Sequence, residues 1–523
     1  MAGMVSDWRA HAAESELAKL VEELRPGELN VWLDSATPRL PETVRVNPCR
    51  KDVEWTLDLL LQMGATPIDW FTPKGGAFTM PWEKARCGNY RFIENIRALH
   101  TSGRITRQEA ASMMPVQALE VQPGDRVLDM CAAPGSKTTQ IAEALDGSGL
   151  VVANEPNPGR ANNLVSNVQR SGHLNVVVVR QDGRNFPRVA EPGFDRILVD
   201  APCTGTGTTR KNTDVWATWK PHHGEHMSRL QVGILSRAAL LLRPGGTMVY
   251  STCSVDPMEN EHVVEQVLER YPWLSLKKVS RSELFPGLNT RPGRTDFTKD
   301  CIRVWNDEND GSGFFIAVFT QDEEEQTSAR ATRAHPRDLG KVPTPISAKP
   351  LGKMDLRLGD SMDLQLFSEW GMETHGLTLW RRGQYAHVSM DAIREWLWDS
   401  PRLTGKHQLY PGGHWQPLRV LQAGQPVWKI RKERNRFIST GVHGLAERVT
   451  NHCLSVDRAL AIRLLDGEEP GRSTLTEAFQ GQRDGGVLLR CEDEFIPAWL
   501  AGKLSLMMTD AEQHILRLKL GLL

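Results

Sequence analysis

The middle of this sequence predicts an α/β fold, a Rossmann-like doubly wound parallel sheet, on three observations. Five short apolar runs alternate with helical stretches between residues 126 and 252. The runs are apolar at successive positions, as in Val176-Val177-Val178-Val179, which means both faces are covered. The first run ends in a turn of small residues, where an open parallel sheet binds its ligands.

The elements follow in order. Leu17, Leu20, Val21 and Leu24 recur at helical spacing within 14–25, and a second helix is expected over 51–63. Pro73, Gly75, Gly76 and Pro81 mark a loop or hairpin, so residues 1–113 read as a mixed α/β region. The sheet region runs over 114–322, with strands at 126–130, 149–154, 176–179, 195–200 and 248–252. Helices are expected over 136–145, 160–170 and 226–242, the last stopped by Pro244-Gly245-Gly246. The run 314–319 comes late and suits an edge strand. Residues 323–353 are charged, Pro-rich and poor in apolar side chains, and read as a linker. From 354 to 523, strand-like runs at 418–421 and 425–430 precede helical stretches at 456–465 and 510–520, which predicts a separate α+β domain.

The chain has 523 residues, 40% hydrophobic and 24% charged, an ordinary globular composition that excludes a wholly disordered or fibrous protein. No stretch approaches the ~20 apolar residues of a membrane span, and the first residues lack a signal's apolar centre. The eight cysteines include no C-x-x-C pair, which argues against zinc spacing and against a disulfide framework. A soluble intracellular protein with reduced thiols is expected. With 63 Lys plus Arg against 64 Asp plus Glu, the balance gives no global signal for nucleic acid, so such a partner has to be read from local features.

The first turn, Asp129-Met-Cys-Ala-Ala-Pro-Gly-Ser-Lys-Thr-Thr139, is neither G-x-G-x-x-G nor a P-loop. Its small residues, Cys131, Ala132, Ala133, Pro134, Gly135 and Ser136, let a ligand approach the backbone, and Lys137 can reach into the crevice. Glu155 ends the second strand, where a carboxylate accepts ribose hydroxyls, and Asp182 ends the third beside an adenine-sized slot. Each carboxylate alone is most often a solvated cap. Together they suit an adenosyl cofactor without phosphates. The fourth and fifth strands deliver Asp200, Cys203 and Cys253 to the same crevice. A lone cysteine is usually a small buried hydrophobe. Two beside one cofactor pocket suit covalent chemistry on cytosine, whose carbon 5 becomes nucleophilic once a thiolate adds to carbon 6.

These motifs resemble the Sun/Fmu-type (NSUN) RNA cytosine-5 methyltransferases. The matching stretches are 108–114, 127–138, 200–212 and 249–254, followed by Pro257, Asn260 and Glu261. The run Asp-Ala-Pro-Cys-Thr-Gly-Thr-Gly-Thr-Thr-Arg-Lys-Asn-Thr-Asp-Val-Trp216 is most similar to the eukaryotic branch acting on transfer RNA. The resemblance implies a class I methyltransferase fold and S-adenosyl-L-methionine as cofactor. It assigns Cys253 as nucleophile, Cys203 to product release, Asp200 to the cytosine edge and Lys137 to the proton transfers. Residues 131–137, Glu155, Arg160, Asp182 and Asp200 would bind the cofactor. Thr206 stands where the family usually has Asp, and Ser136 where it often has Gly.

The implied partner is RNA, most simply transfer RNA, with the cytosine single-stranded, looped or flipped out. Ribosomal or messenger RNA is the alternative substrate, and a catalytically weak RNA-binding factor the alternative class. The segment 44–48 resembles the family's RNA-presenting element, with charge from Arg45, Arg50 and Lys51. The basic run 429–436, between Trp428 and Phe437, suits phosphate contacts and base stacking, and the C-terminal part resembles a PUA-like RNA-binding domain. Trp216 and Trp219 are candidates to flank the RNA cleft. His222, His223, Glu225 and His226 do not have the order of a metal motif and read as a helix surface; no metal is expected. The family suggests a nuclear monomer.

Overall fold

The structure, a computed structural model, describes residues 8–36, 38–189, 193–321, 345–403, 408–431, 434–442 and 444–523. Most of the expected linker, residues 323–344, lies outside the described residues. Among the described residues no helix is long and apolar enough to cross a membrane.

Strand β1 (Pro41–Val46) lies between β2 (Ala77–Glu83) and β3 (Ile105–Arg107) in an N-terminal sheet. Helix α1 (Ala110–Leu119) leads into the central sheet. There β4 (Arg126–Asp129), β5 (Leu150–Asn154), β6 (Val176–Val179), β7 (Phe194–Asp200) and β8 (Leu242–Thr252) run parallel in the order β8-β7-β4-β5-β6. The chain thus reverses direction of travel across β4. Helices α2 (Ser136–Ala144), α3 (Pro158–Ser171), α4 (Pro221–Ala239) and α5 (Glu261–Arg270) cover the faces. Successive strand residues serve opposite cores: Leu128, Val152, Val177 and Val199 enter one, and Val127, Val151, Val176 and Leu198 the other. This is why the runs are apolar without alternation.

Three local expectations are corrected. The strand β9 (Ile302–Val304) extends the sheet beyond β10 (Phe314–Gln321), so β10 is interior, between β8 and β9. Three residues are too few for periodicity to reveal. Helix α4 ends at Ala239, and Pro244-Gly245-Gly246 fall inside β8 at its irregular pairing with β7. A side chain at Gly246 would meet the Asp195 carbonyl oxygen at 3.0 Å, which reserves that position for glycine. Finally, the C-terminal part does not stand wholly apart: β11 (Val420–Ala423) adds antiparallel to β6, and α6 (Asp510–Lys519) packs against the helix Tyr90–Thr101. Ile515 of α6 shares a core with Val44 and Leu99.

Candidate active site

The cofactor side of the site is built from three adjacent strand ends. Past β4 lies the turn 131–135; past β5, Glu155 is buried with Oε1 accepting the Asn157 N–H at 2.8 Å. Arg160, one turn into α3, reaches Glu155 at 3.5 Å and donates to the Ala133 carbonyl at 2.9 Å, which ties the turn to the second strand end. Past β6, Asp182 accepts from the Arg184 N–H at 2.9 Å and pairs with its guanidinium at 2.7 Å. That hydrogen bond holds the Asp182 carboxyl below its usual range. At the end of β4, Asp129 is fully buried and accepts from the Thr138 hydroxyl at 2.7 Å, while Oδ1 has no partner. Burial pushes this carboxyl up to about 7, against the Thr138 bond. Small residues at the first turn, a buried carboxylate at the second strand end, a half-exposed one at the third and the orphaned Asp129 oxygen fit an adenosyl group carrying a charged sulfonium end.

The chemistry side comes from β7 and β8. Asp200 lies opposite Ser251, whose hydroxyl donates to it at 2.8 Å. Just past these strand ends Cys203 Sγ and Cys253 Sγ are 3.2 Å apart. Gly207 fits between them and the strand Phe314–Gln321: its N–H donates to the Cys253 carbonyl at 2.9 Å, and a Cβ there would meet the Gly313 carbonyl oxygen at 2.6 Å. The bond to Cys253 and burial push the Cys203 thiol well up. Burial beside Asp129 does the same to Cys131. Thr206 is buried with its hydroxyl 2.8 Å from Ser254 and accepting the Val255 N–H at 2.9 Å, so threonine satisfies this corner without a charge.

Lys137, at the start of α2, is buried and joins the site through three contacts. It pairs with Asp200 at 2.8 Å, donates to Ser112 of α1 at 2.7 Å and lies 5.6 Å above the Phe314 ring. Lys137, Asp200 and Cys253 open onto a cavity of about 540 Å³ between the N-terminal sheet and the central one, with Lys84, Arg107, Arg170 and Lys211 on its walls. A basic vestibule ending at a thiol suits entry of an extruded RNA base. Cys203 faces a second cavity, of about 610 Å³, beside Trp219 and the exposed His222, His223 and His226. Among the described residues no three His, Cys, Asp or Glu side chains gather as a metal site.

The structure reassigns several residues read as RNA contacts. Arg45 is buried, donates to the Ser136 carbonyl at 3.1 Å and the Thr139 hydroxyl at 3.0 Å, and pairs with Glu143. Arg50 is buried among the carbonyls of Ser102, Gly103 and Arg170. Both fasten the N-terminal sheet to the catalytic one, and only Lys51, paired with Glu447, reaches the surface. Trp428 and Phe437 are buried against Phe367 and Trp370, so neither can stack on a base. The exposed ring on that sheet is Tyr385, with the Lys429 ammonium 5.5 Å from its centre. Lys432 and Glu433 of the basic run lie outside the described residues. Trp216 packs on Trp32, ring centres 4.9 Å apart. Sequence reasoning missed Glu259, a fully buried carboxylate bonded to the residues that follow both cysteines. No spacing signals it, because two of its partners, Thr204 and Gln231, lie 55 and 28 residues away.

Comparison with known proteins identifies the family. Residues 116–320 match the family model described as 16S rRNA methyltransferase RsmB/F. Ribosomal RNA small subunit methyltransferase F of Aeromonas salmonicida is 34% identical over 482 residues, 89% of this chain and 92% of that one. The tRNA (cytosine(49)-C(5))-methyltransferase of Pyrococcus abyssi is 37% identical, over 55% of this chain and 89% of its own. The yeast multisite-specific tRNA:(cytosine-C(5))-methyltransferase is 38% identical over 46% of this chain, which spans 42% of that relative's length. The crystal structure of PH0851 superimposes with a TM-score of 0.52 at 27% identity, covering 60% of this chain and 67% of that one. With a co-linear relative over nearly its whole length and the catalytic segment matched, this chain belongs to the RsmB/F family of RNA cytosine-C5 methyltransferases, the Sun/NSUN type, whose methyl donor is S-adenosyl-L-methionine.

Proposed function

We propose that this chain methylates carbon 5 of cytosine in RNA, and the observation that carries the reading is the Cys203–Cys253 pair standing beside the Lys137–Asp200 pair. The cofactor supplies an electrophilic methyl group, held by residues 131–137, Glu155, Arg160 and Asp182. Cys253 adds its sulfur to carbon 6, and the electron pair released to carbon 5 makes that carbon the acceptor. Asp200 takes the exocyclic amine of the base, and Lys137 donates toward the ring as negative charge develops there. Product forms when the carbon 5 proton passes to water, the 5–6 double bond returns and the carbon–sulfur bond breaks. The Cys203 thiol donates to the departing Cys253 sulfur.

Transfer RNA is the substrate favoured by the motif at 200–216. A nuclear address belongs with that eukaryotic likeness, and a PUA-like role for the C-terminal part would help hold the RNA. Ribosomal RNA of the small subunit is a second reading, favoured by the end-to-end match to the Aeromonas protein, which includes the C-terminal part. Labelled methyl transfer to unmodified transfer RNA and to small-subunit ribosomal RNA, each followed by mapping of 5-methylcytidine, decides between them. Cofactor binding without transfer to any RNA would overturn the catalytic reading and leave an RNA-binding factor.

A further inference from the structure

We propose that Glu259 is the positioning residue that sets the two thiols against each other, holding the proton on Cys203 and the Cys203 loop in register with Cys253. This rests on the methyltransferase reading above. The Glu259 side chain is fully buried and takes four donors. Oε2 accepts the Thr204 N–H at 2.9 Å and the Gln231 amide at 3.0 Å; Oε1 accepts the Ser254 hydroxyl at 2.7 Å and the Thr204 hydroxyl. Thr204 follows Cys203 and Ser254 follows Cys253, so one carboxyl group joins the two loops that carry the thiols. Gln231 of α4 also donates to the Pro202 carbonyl at 2.9 Å, which locks the Cys203 loop from its other side. The backbone of Glu259 is fixed in turn, its carbonyl accepting the buried Tyr250 hydroxyl at 2.5 Å.

Every contact donates to Glu259, a pattern that an ionised carboxylate satisfies completely. Among the described residues no lysine or arginine pairs with it. A buried negative charge without a cation repels a second one nearby, and Glu259 contributes to the upward push on the Cys203 thiol, after Cys253 and burial. Cys203 therefore keeps its proton as a donor, and Cys253 is left as the sulfur with the free pair. Glutamine at 259 would remove the charge and turn an N–H against one of the existing donors. That loosens the register between the loops while leaving the strand ends that hold the cofactor untouched.

The test has one arm without RNA. In a Cys253→Ala background, alkylation of Cys203 by iodoacetamide is followed against pH by peptide mass. Adding Glu259→Gln is expected to shift the curve to lower pH and speed alkylation at pH 8 by about threefold or more, half a unit of thiol titration. The imidazoles and Arg229 on α4, Asp200 and Lys137 are the same in both chains, so the paired comparison isolates Glu259. In the second arm, Glu259→Gln alone, with RNA and cofactor, is expected to accumulate the denaturant-stable Cys253 adduct expected of failed release, at unchanged cofactor affinity. Identical alkylation curves would overturn the proposal, as would slowed turnover without adduct. Should wild type methylate no RNA, the catalytic reading falls while the alkylation arm still decides the role of Glu259. If Glu259→Gln does not fold, Gln231→Leu, which removes one donor, is expected to give a smaller adduct signal. Its absence at reduced turnover overturns the proposal equally.

Discussion

Cys203 Sγ lies 3.2 Å from Cys253 Sγ, although 50 residues separate them in the chain. The contact follows from the sheet. β7 and β8 are parallel neighbours with Asp200 opposite Ser251, so residues shortly past each strand end share one crevice. Parallel strands send consecutive chain ends to the same edge, and this is what lets two thiols act on one base. Loss of either one should therefore stop a different step. Cys253→Ala is expected to lower turnover by roughly 10⁴-fold or more, as for a removed nucleophile, with no adduct on denaturing gels. Cys203→Ala is expected to trap RNA as a gel-stable adduct through Cys253.

The Lys137–Asp200 pair at 2.8 Å predicts strong coupling. Asp200→Asn and Lys137→Met are each expected to slow methyl transfer by about 10²–10³-fold, the range of a lost acid–base group. The double variant should lose much less than the product of the two, because each single change already strands the other partner. Single-turnover rates on all four chains measure this. Additive losses would show that the two residues serve separate steps.

How much of this was legible in the sequence depends on whether a residue's partner is local. The strand ends carrying Glu155, Asp182, Asp200 and Cys253 could be read because hydrophobic runs fix where strands stop. Arg45 and Arg50 could not, because nothing in a basic residue's neighbours says whether a carboxylate 98 positions on, such as Glu143, will bury it. Trp428 and Phe437 look like stacking platforms beside a basic run, yet they pair across their hairpin with both rings in the core, and Lys429 is half-buried. Glu259 has no periodic context at all; its four donors come from three separate segments.

The reassignment of Arg45 separates stability from RNA binding. Arg45→Met would leave Glu143 buried without its cation; His173, 3.8 Å from Glu143, is held neutral by burial, at about 3. The expected cost is about 3–5 kcal/mol of unfolding free energy, the penalty of breaking a buried pair, measured by denaturant titration. Lys84→Ala and Lys211→Ala, on the exposed wall of the vestibule, are expected to leave stability unchanged. Each should weaken RNA binding and reduce the salt slope by about one. A stable Arg45→Met chain with a reduced salt slope would return Arg45 to the RNA surface.

Acid should release the C-terminal helix from the N-terminal sheet. Asp52 accepts from Arg104 at 2.7 Å and from Lys519 of α6 at 2.5 Å, and Arg104 also reaches Glu512 of α6 at 2.9 Å. Burial alone would raise the Asp52 carboxyl, but Arg104 and Lys519 outweigh it and hold it at about 2. A carboxyl depressed in the folded state contributes its full stability above its unfolded value of about 4, and that contribution is lost as pH falls from there to about 2. The shift corresponds to on the order of 2 kcal/mol. Asp52→Asn is expected to cost a similar amount at pH 7 and to flatten the dependence of stability between pH 4 and 2. Hydrogen exchange across 510–519 then reads the local consequence, with faster exchange in Asp52→Asn at neutral pH and in wild type only in acid. Equal protection of this helix in both chains at pH 7 would show that Ile515 and its apolar neighbours hold it without the ion pairs.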